Sequence, residues 1–313
     1  MNIYDVLDEL PLQDGKKNAI IEIDKNFKKF RKKLDNTLFY FLSNRFGEGK
    51  REITPESLGY NINIFKMIID FLKSKGKYKK HLGDRILCKL PKKLKPSDAL
   101  PPHIMFSSYE YLFNVLDSST YPLISIFDRE HRDFYLNLVT DPFIIYYHIE
   151  FGKEILKFIR DREVNILVIG NEFFLFPIVL EHILPCKFEL LFFSKELPAL
   201  IKTWYSSFKK RTFYCEFPYV DLKKKLGKTY ELIVGFLPFS FLGRENSEIF
   251  LNNLSLILSG KFIFFNTDNF QSLFLPFGLF DEFIYYDLFE LEKLLEKFSL
   301  KKRRDKHIWF VSL

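Results

Sequence analysis

The chain is poor in the residues that cross-link or punctuate small folds. Three cysteines in 313 residues (Cys88, Cys186 and Cys215) stand far apart, without the paired spacing of a metal site or a disulfide framework. They read as thiols of a reducing compartment, and no metal is expected. Glycine is scarce at 13, and no G-x-G-x-x-G follows any apolar run, which argues against a dinucleotide-binding turn. No apolar run approaches the roughly 18 residues that a membrane span needs, so no membrane partner is expected. The opening MNIYDVLDELPLQDG is acidic and lacks a basic start followed by an apolar stretch. It does not read as a secretory signal, and the expected location is the cytoplasm.

What the chain has in excess is phenylalanine, 38 residues within an aromatic share of 18%. Rings bury much area each, and the first use of so many is core filling. With 47% hydrophobic and 28% charged residues, a packed globular protein long enough for two domains is expected. Charge is uneven. Residues 1–100 hold 22 Lys+Arg against 13 Asp+Glu, and the rest 25 against 27. The whole excess of +7 therefore belongs to the first hundred residues, an electrostatic statement about partners.

Residues 16–46 carry apolar positions at helical spacing with Lys between them. Thr54 and Pro55 suit a helix start and Gly59 a stop. A helix over Ile62–Ser74 follows, with Ile64, Met67, Ile68, Phe71 and Leu72 on one face and Gly76 at its end. KYKKHLGDRILCKL then reads as a hairpin turning at Leu82–Gly83–Asp84. Helix, turn, helix and small hairpin is the order of a winged helix-turn-helix. Lys73, Lys75, Lys77, Lys79 and Lys80 cluster beside the hairpin, with Lys92, Lys93 and Lys95 beyond. They are either a solvated face or a phosphate-neutralising patch for nucleic acid. The helix itself offers mainly Asn63 and Lys66 to read bases. KLPKKLKPSDALPP is a linker, residues 105–160 are helical and aromatic, and Asp141–Pro142 opens the last helix.

From Val164 short apolar runs alternate with helices: NILVIG, KFELLFFS, RTFYCEF, ELIVGFL and GKFIFFN, then EFIYYD, a helix and a final strand HIWFVSL. That alternation predicts an α/β class with a Rossmann-like, doubly wound sheet. The expected organisation is a helical winged-helix-like domain over 1–100, a helical linker segment over 101–163, and the α/β domain over 164–313.

The stretch YELIVGFLPFSFLGRENSEIFLNNLSLILSGKFIFFN, with Pro185 ahead of the second strand and Leu197–Pro198 after it, resembles class I S-adenosylmethionine-dependent methyltransferases. The likeness is to small-molecule O-methyltransferases with an N-terminal winged-helix dimerisation domain, and it spans roughly residues 35–313. The resemblance implies S-adenosylmethionine as cofactor, a homodimer, and a small aromatic or apolar acceptor. It puts the cofactor at Gly170, Asn171 and Glu172 after the first strand, and at Ser194 and Glu196 after the second. Glu216 and Phe217 follow the third strand, and Gly235 and Phe236 close the fourth. Tyr147 and His148, on the helix before the first strand, would face the acceptor.

The sequence departs from the family pattern at each of these turns. One Gly stands where the family has a cluster, followed by bulky Phe173 and Phe174. Ser194 replaces the acid that closes the second strand, and Glu196 two positions later suits a helix cap better than a ribose contact. Glu216 matches the acidic-aromatic pair but also suits a solvated strand end. Pro238 stands where the catalytic His would follow the fourth strand, so the catalytic residue is not assigned. The alternative expectation is an inactive methyltransferase-fold protein whose basic domain binds nucleic acid or dimerises.

Overall fold

The computed structural model describes all residues except 1, 93, 102–103, 105–106, 119–123, 126–127, 129–130, 160–162, 170–171, 174, 194–198, 200–211, 215–220, 267–270, 299, 306 and 313; for 212–214 and 271 only the backbone is described. Two compact units divide the chain. One gathers 1–17, 145–268 and 286–313, and the other 18–144 and 269–285. These units interleave along the chain, whereas the segments 1–100, 101–163 and 164–313 expected from composition run consecutively.

The chain begins with α1 (Ile3–Glu9), whose N-cap Asn2 and Asp5 form a reciprocal capping box. The helical unit follows with α2 (Asp14–Lys25), α3 (Phe27–Phe46), β1 (Gly49–Ile53), α4 (Ile62–Ser74), β2 (Tyr78–Leu82) and β3 (Arg85–Leu90), then α5 (Ser107–Ser118) and α6 (Arg132–Val139). The strands form an antiparallel sheet in the order β1-β3-β2. Gly83, at a φ of +66°, makes the expected tight turn between β2 and β3. Between β1 and α4 the chain makes a single 3-10 turn, Glu56–Leu58, begun by the Thr54 hydroxyl accepting from the Ser57 amide and ended by left-handed Gly59. α4 buries Ile64, Met67, Ile68, Phe71 and Leu72, the face expected from their spacing.

Two amide side chains then tie this unit to residues more than 200 positions away. Asn61 caps α4 by accepting from the Ile64 amide at 2.9 Å, and its Nδ2 donates to the Gly278 carbonyl at 2.8 Å. Asn63 Nδ2 donates to the Phe283 carbonyl at 2.6 Å, and Tyr285 Oη donates to Asp70 at 3.0 Å. Residues 269–285 thus complete the core of the helical unit. Their backbone, not a nucleic acid base, is the partner of Asn63.

Helix α7 (Pro142–Ile159) opens on Asp141, which accepts from the Phe143 amide at 2.8 Å, and from residue 145 on it belongs to the other unit. The aromatic residues from Phe134 to Tyr147 are thus divided between α6 and α7, with the break at Thr140–Asp141. Then come β4 (Ile166–Ile169), α8 (Leu175–Ile183), β5 (Phe188–Phe192), β6 (Thr212–Tyr214), α9 (Leu222–Leu226), β7 (Tyr230–Phe236), α10 (Arg244–Ile257), β8 (Leu258–Phe265), α11 (Leu288–Lys297), β9 (Lys301–Asp305) and β10 (Ile308–Ser312). Their sheet runs β6-β5-β4-β7-β8-β10-β9; the first five are parallel, and β10 is antiparallel to both neighbours.

The expected doubly wound sheet is present, with one strand more than the apolar pattern announces. β9 is the run KKRRD, a strand only because β10 pairs with it, while EFIYYD forms none. β4 is buried at every residue, as a strand covered on both faces must be. Gly260 is needed where β8 enters the sheet, since a Cβ there would collide with the Glu231 carbonyl. Among the described residues no helix is long and apolar enough to cross a membrane.

Asn61 supplies both a cap and a buried hydrogen bond. Asn61→Ala is expected to lower stability by about 1–3 kcal/mol, read as a reduced urea midpoint at unchanged m-value.

Candidate functional site

In an open parallel sheet a ligand crevice forms outside the carboxyl ends of the strands where the strand order reverses. Here that point lies between β4 and β7, at the turns that follow Ile169 and Phe236. Helix α7 presents Tyr147 and His148 to this region. His148 is fully buried and stands edge-on to Phe236 at 4.4 Å between ring centres, with Phe176 at 5.5 Å and Phe173 at 5.9 Å. Phe236 in turn stacks on Phe265 of the neighbouring strand at 4.7 Å, nearly parallel. Tyr147 lies against the same Phe265, and Phe151, one turn beyond His148, stacks on Phe176. Three candidates from the sequence, Tyr147, His148 and Phe236, are therefore brought into one aromatic cluster.

Two ionisable groups are buried here with opposite consequences. Neither ring nitrogen of His148 has a hydrogen-bond partner among the described residues. Its apolar surroundings disfavour the charged imidazolium and depress its pKa to about 3. Glu172, in the turn after β4, is 3% exposed, and loss of water raises its carboxyl to about 7, opposed in part by a backbone hydrogen bond. A carboxyl poised there suits proton transfer near neutral pH.

The turn after β7 carries a strained backbone. Leu237 adopts a φ of +50°, unusual for a branched side chain, while its amide donates to the Phe265 carbonyl at 3.0 Å. That conformation brings Pro238 back over Gly235. A Cβ at Gly235 would meet the Pro238 ring at 2.9 Å and Ile169 at 3.2 Å. The bare backbone expected to welcome a cofactor at Gly235 is thus covered by the chain itself. Phe173, fully buried, fills the adjoining space. Gly170, Asn171, Ser194, Glu196, Glu216 and Phe217 lie outside the described residues. Phe151, Phe176 and Leu237 belong to this region without being among the residues expected from the sequence. The i,i+3 spacing of Phe151 from His148 was a usable signal, but nothing local announces the Leu237 conformation.

The lysine cluster of the helical unit is partly neutralised. Lys75 pairs with Asp35, Lys73 lies 3.7 Å from Asp70 and over the Tyr78 ring, and Lys79 and Lys80 are exposed on β2. Lys77 is half-buried, its carbonyl accepting from the Lys89 amide.

No protein-family model matches the chain, and no curated protein matches it. Solved structures do. The CurJ carbon methyltransferase is similar at 11% identity and a TM-score of 0.53, over 94% of this chain and 95% of that one. The CMeT domain of the citrinin polyketide synthase is similar at 11% identity and a TM-score of 0.55, over 95% and 93%. At such identity the likeness is one of fold: a Rossmann-like methyltransferase sheet with an N-terminal helical region.

The two buried groups bias stability in opposite directions. His148 contributes stability that is complete above the ordinary imidazole value of 6.5 and is lost as pH falls toward about 3. The raised Glu172 contributes stability that is complete below 4.5 and lost as pH rises toward about 7. Each arm amounts to a few kcal/mol by order of magnitude. His148→Phe is expected to flatten the acid arm and Glu172→Gln the neutral arm, seen as thermal midpoints that differ from wild type most at about pH 3 and pH 8 respectively.

Proposed function

We propose that the chain is an S-adenosylmethionine-dependent methyltransferase acting at the carboxyl ends of β4 and β7. The observation that carries this reading is the seven-strand order, with a buried ionisable carboxyl and a strained backbone at its reversal point. The methyl donor is already activated, so holding an acceptor in line supplies most of the rate. In this reading Glu172, not a histidine, takes the proton where the acceptor must lose one, since His148 with its depressed pKa is a poor base. The aromatic cluster of Tyr147, His148 and Phe236 favours a small apolar or aromatic acceptor. The cofactor would enter from the turn holding Gly170 and Asn171, because Pro238 covers Gly235. Residues 194–196 and 216–217 would supply its ribose and adenine contacts, and a homodimer through the helical unit accompanies the reading.

A second reading is favoured by that same cover. With Pro238 over Gly235 and Phe173 buried beside it, the sheet unit is a scaffold without catalysis, and the helical unit carries the function by dimerising or binding nucleic acid.

Calorimetric titration with S-adenosylmethionine and with S-adenosylhomocysteine separates the two. The first reading expects saturable heat with both ligands, weakened at least tenfold by Gly170→Trp. Absence of heat at millimolar ligand would sink it and leave the scaffold reading.

A further inference from the structure

A second concavity, of about 440 Å³, lies at the other end of the sheet unit, between the last turn of α7 and the β9–β10 hairpin. The strand register shows what it presents. Lys261, Ser312 and Lys301 lie in one row across β8, β10 and β9, and Ile263, Phe310 and Arg303 in the next row on the same face. Lys261, Lys301 and Arg303 are exposed, and among the described residues none of the three forms an ion pair. Lys302, next in the chain, is engaged by Glu296 at 2.7 Å and is not counted with them. Asp305 is the acid on the lining. Phe158, a residue 37% exposed, closes the cleft from α7, and the Lys261 ammonium lies over its ring at 4.8 Å.

A charged edge strand has a protective use, since Lys and Arg discourage pairing with a foreign strand. That accounts for Lys301 and Arg303 on β9. It does not account for Lys261, which stands two strands inward and completes the same row. Spacing decides what such cations would bind. Across one intervening strand, Lys261 and Lys301 are about 10 Å apart at the backbone, and Lys301 and Arg303 about 7 Å apart along it. Cations so spread do not converge on a single phosphate. They match successive phosphates of an extended strand, with exposed aromatic rings beside them on which bases stack.

We propose that this cleft binds single-stranded nucleic acid, its phosphates on Lys261, Lys301 and Arg303 and a base on Phe158 in place of the Lys261 ammonium. The site is separate from the β4–β7 turns, and neither proposal depends on the other.

Fluorescence anisotropy of the full-length chain with a labelled oligouridylate tests it. Three phosphate contacts predict that affinity falls roughly twentyfold between about 50 and about 200 mM salt. The variant Lys261→Gln/Lys301→Gln/Arg303→Gln, all exposed positions, should keep its thermal midpoint, lose about tenfold or more in affinity and lose most of that salt dependence. Phe158→Ala should weaken oligouridylate about fivefold or more while leaving binding of inorganic polyphosphate, which has no bases, unchanged. No binding at low salt overturns the proposal, as does wild-type affinity in the triple variant. Equal affinity for duplex, or an unaffected Phe158→Ala, removes the single-strand assignment. Loss of binding on replacing Lys73, Lys75, Lys77, Lys79 and Lys80 by Gln, with the triple variant intact, would assign the activity to the helical unit instead.

Discussion

The sheet unit depends on the pairing of β4 with β7. These strands are adjacent in space but separated in sequence by β5 and β6, so their pairing closes a long loop before any of it is rewarded. What rewards it is burial. All four β4 residues and six of the seven in β7 are buried, and the ring of Phe236 continues the contact into β8 through its stack on Phe265. The abundance of phenylalanine finds its main use here: a cluster of rings, in edge-on and stacked arrangements that suit their quadrupoles, holds the middle of the sheet. The crevice that the strand order creates and the core that stabilises the order compete for the same volume.

That competition explains why the fold was more legible than the site. Strands β4, β5, β7 and β8 are short apolar runs with β-branched or aromatic residues, bounded by helices of clear periodicity, and each follows from burial on two faces. Helix α4 and the β2–β3 hairpin were equally open to reading, because Gly76 and Gly83 mark their turns by local chemistry and the apolar face of α4 repeats at helical spacing. β9 was not, since KKRRD has no apolar alternation and becomes a strand by pairing alone. Nor was the alliance of Asn61 and Asn63 with Gly278 and Phe283, because an amide that bonds a distant carbonyl leaves no spacing in the sequence.

At the site, the missing glycines and the absent histidine after β7 were visible as departures from a pattern. Their structural consequence was not. Whether Gly235 is open depends on where Pro238 falls, and that depends on Leu237 adopting a backbone conformation its side chain disfavours. His148 could be singled out from its helix; that it is held neutral among rings could not, because Phe173, Phe176 and Phe236 come from three separate segments.

The helical unit takes its last seventeen residues from 269–285, after most of the sheet strands have been made. On a ribosome adding roughly 5–20 residues per second, the stretch from residue 144 to 285 takes about 7–28 s. Through that interval α4 is complete, yet Asn61 and Asn63 have no carbonyl to hold and the apolar surface awaiting Phe277 and Phe283 faces solvent. A nascent chain of this protein therefore carries a sticky, unfinished helical cluster for longer than its position near the N-terminus suggests. Completion of that core waits on the addition of residue 285.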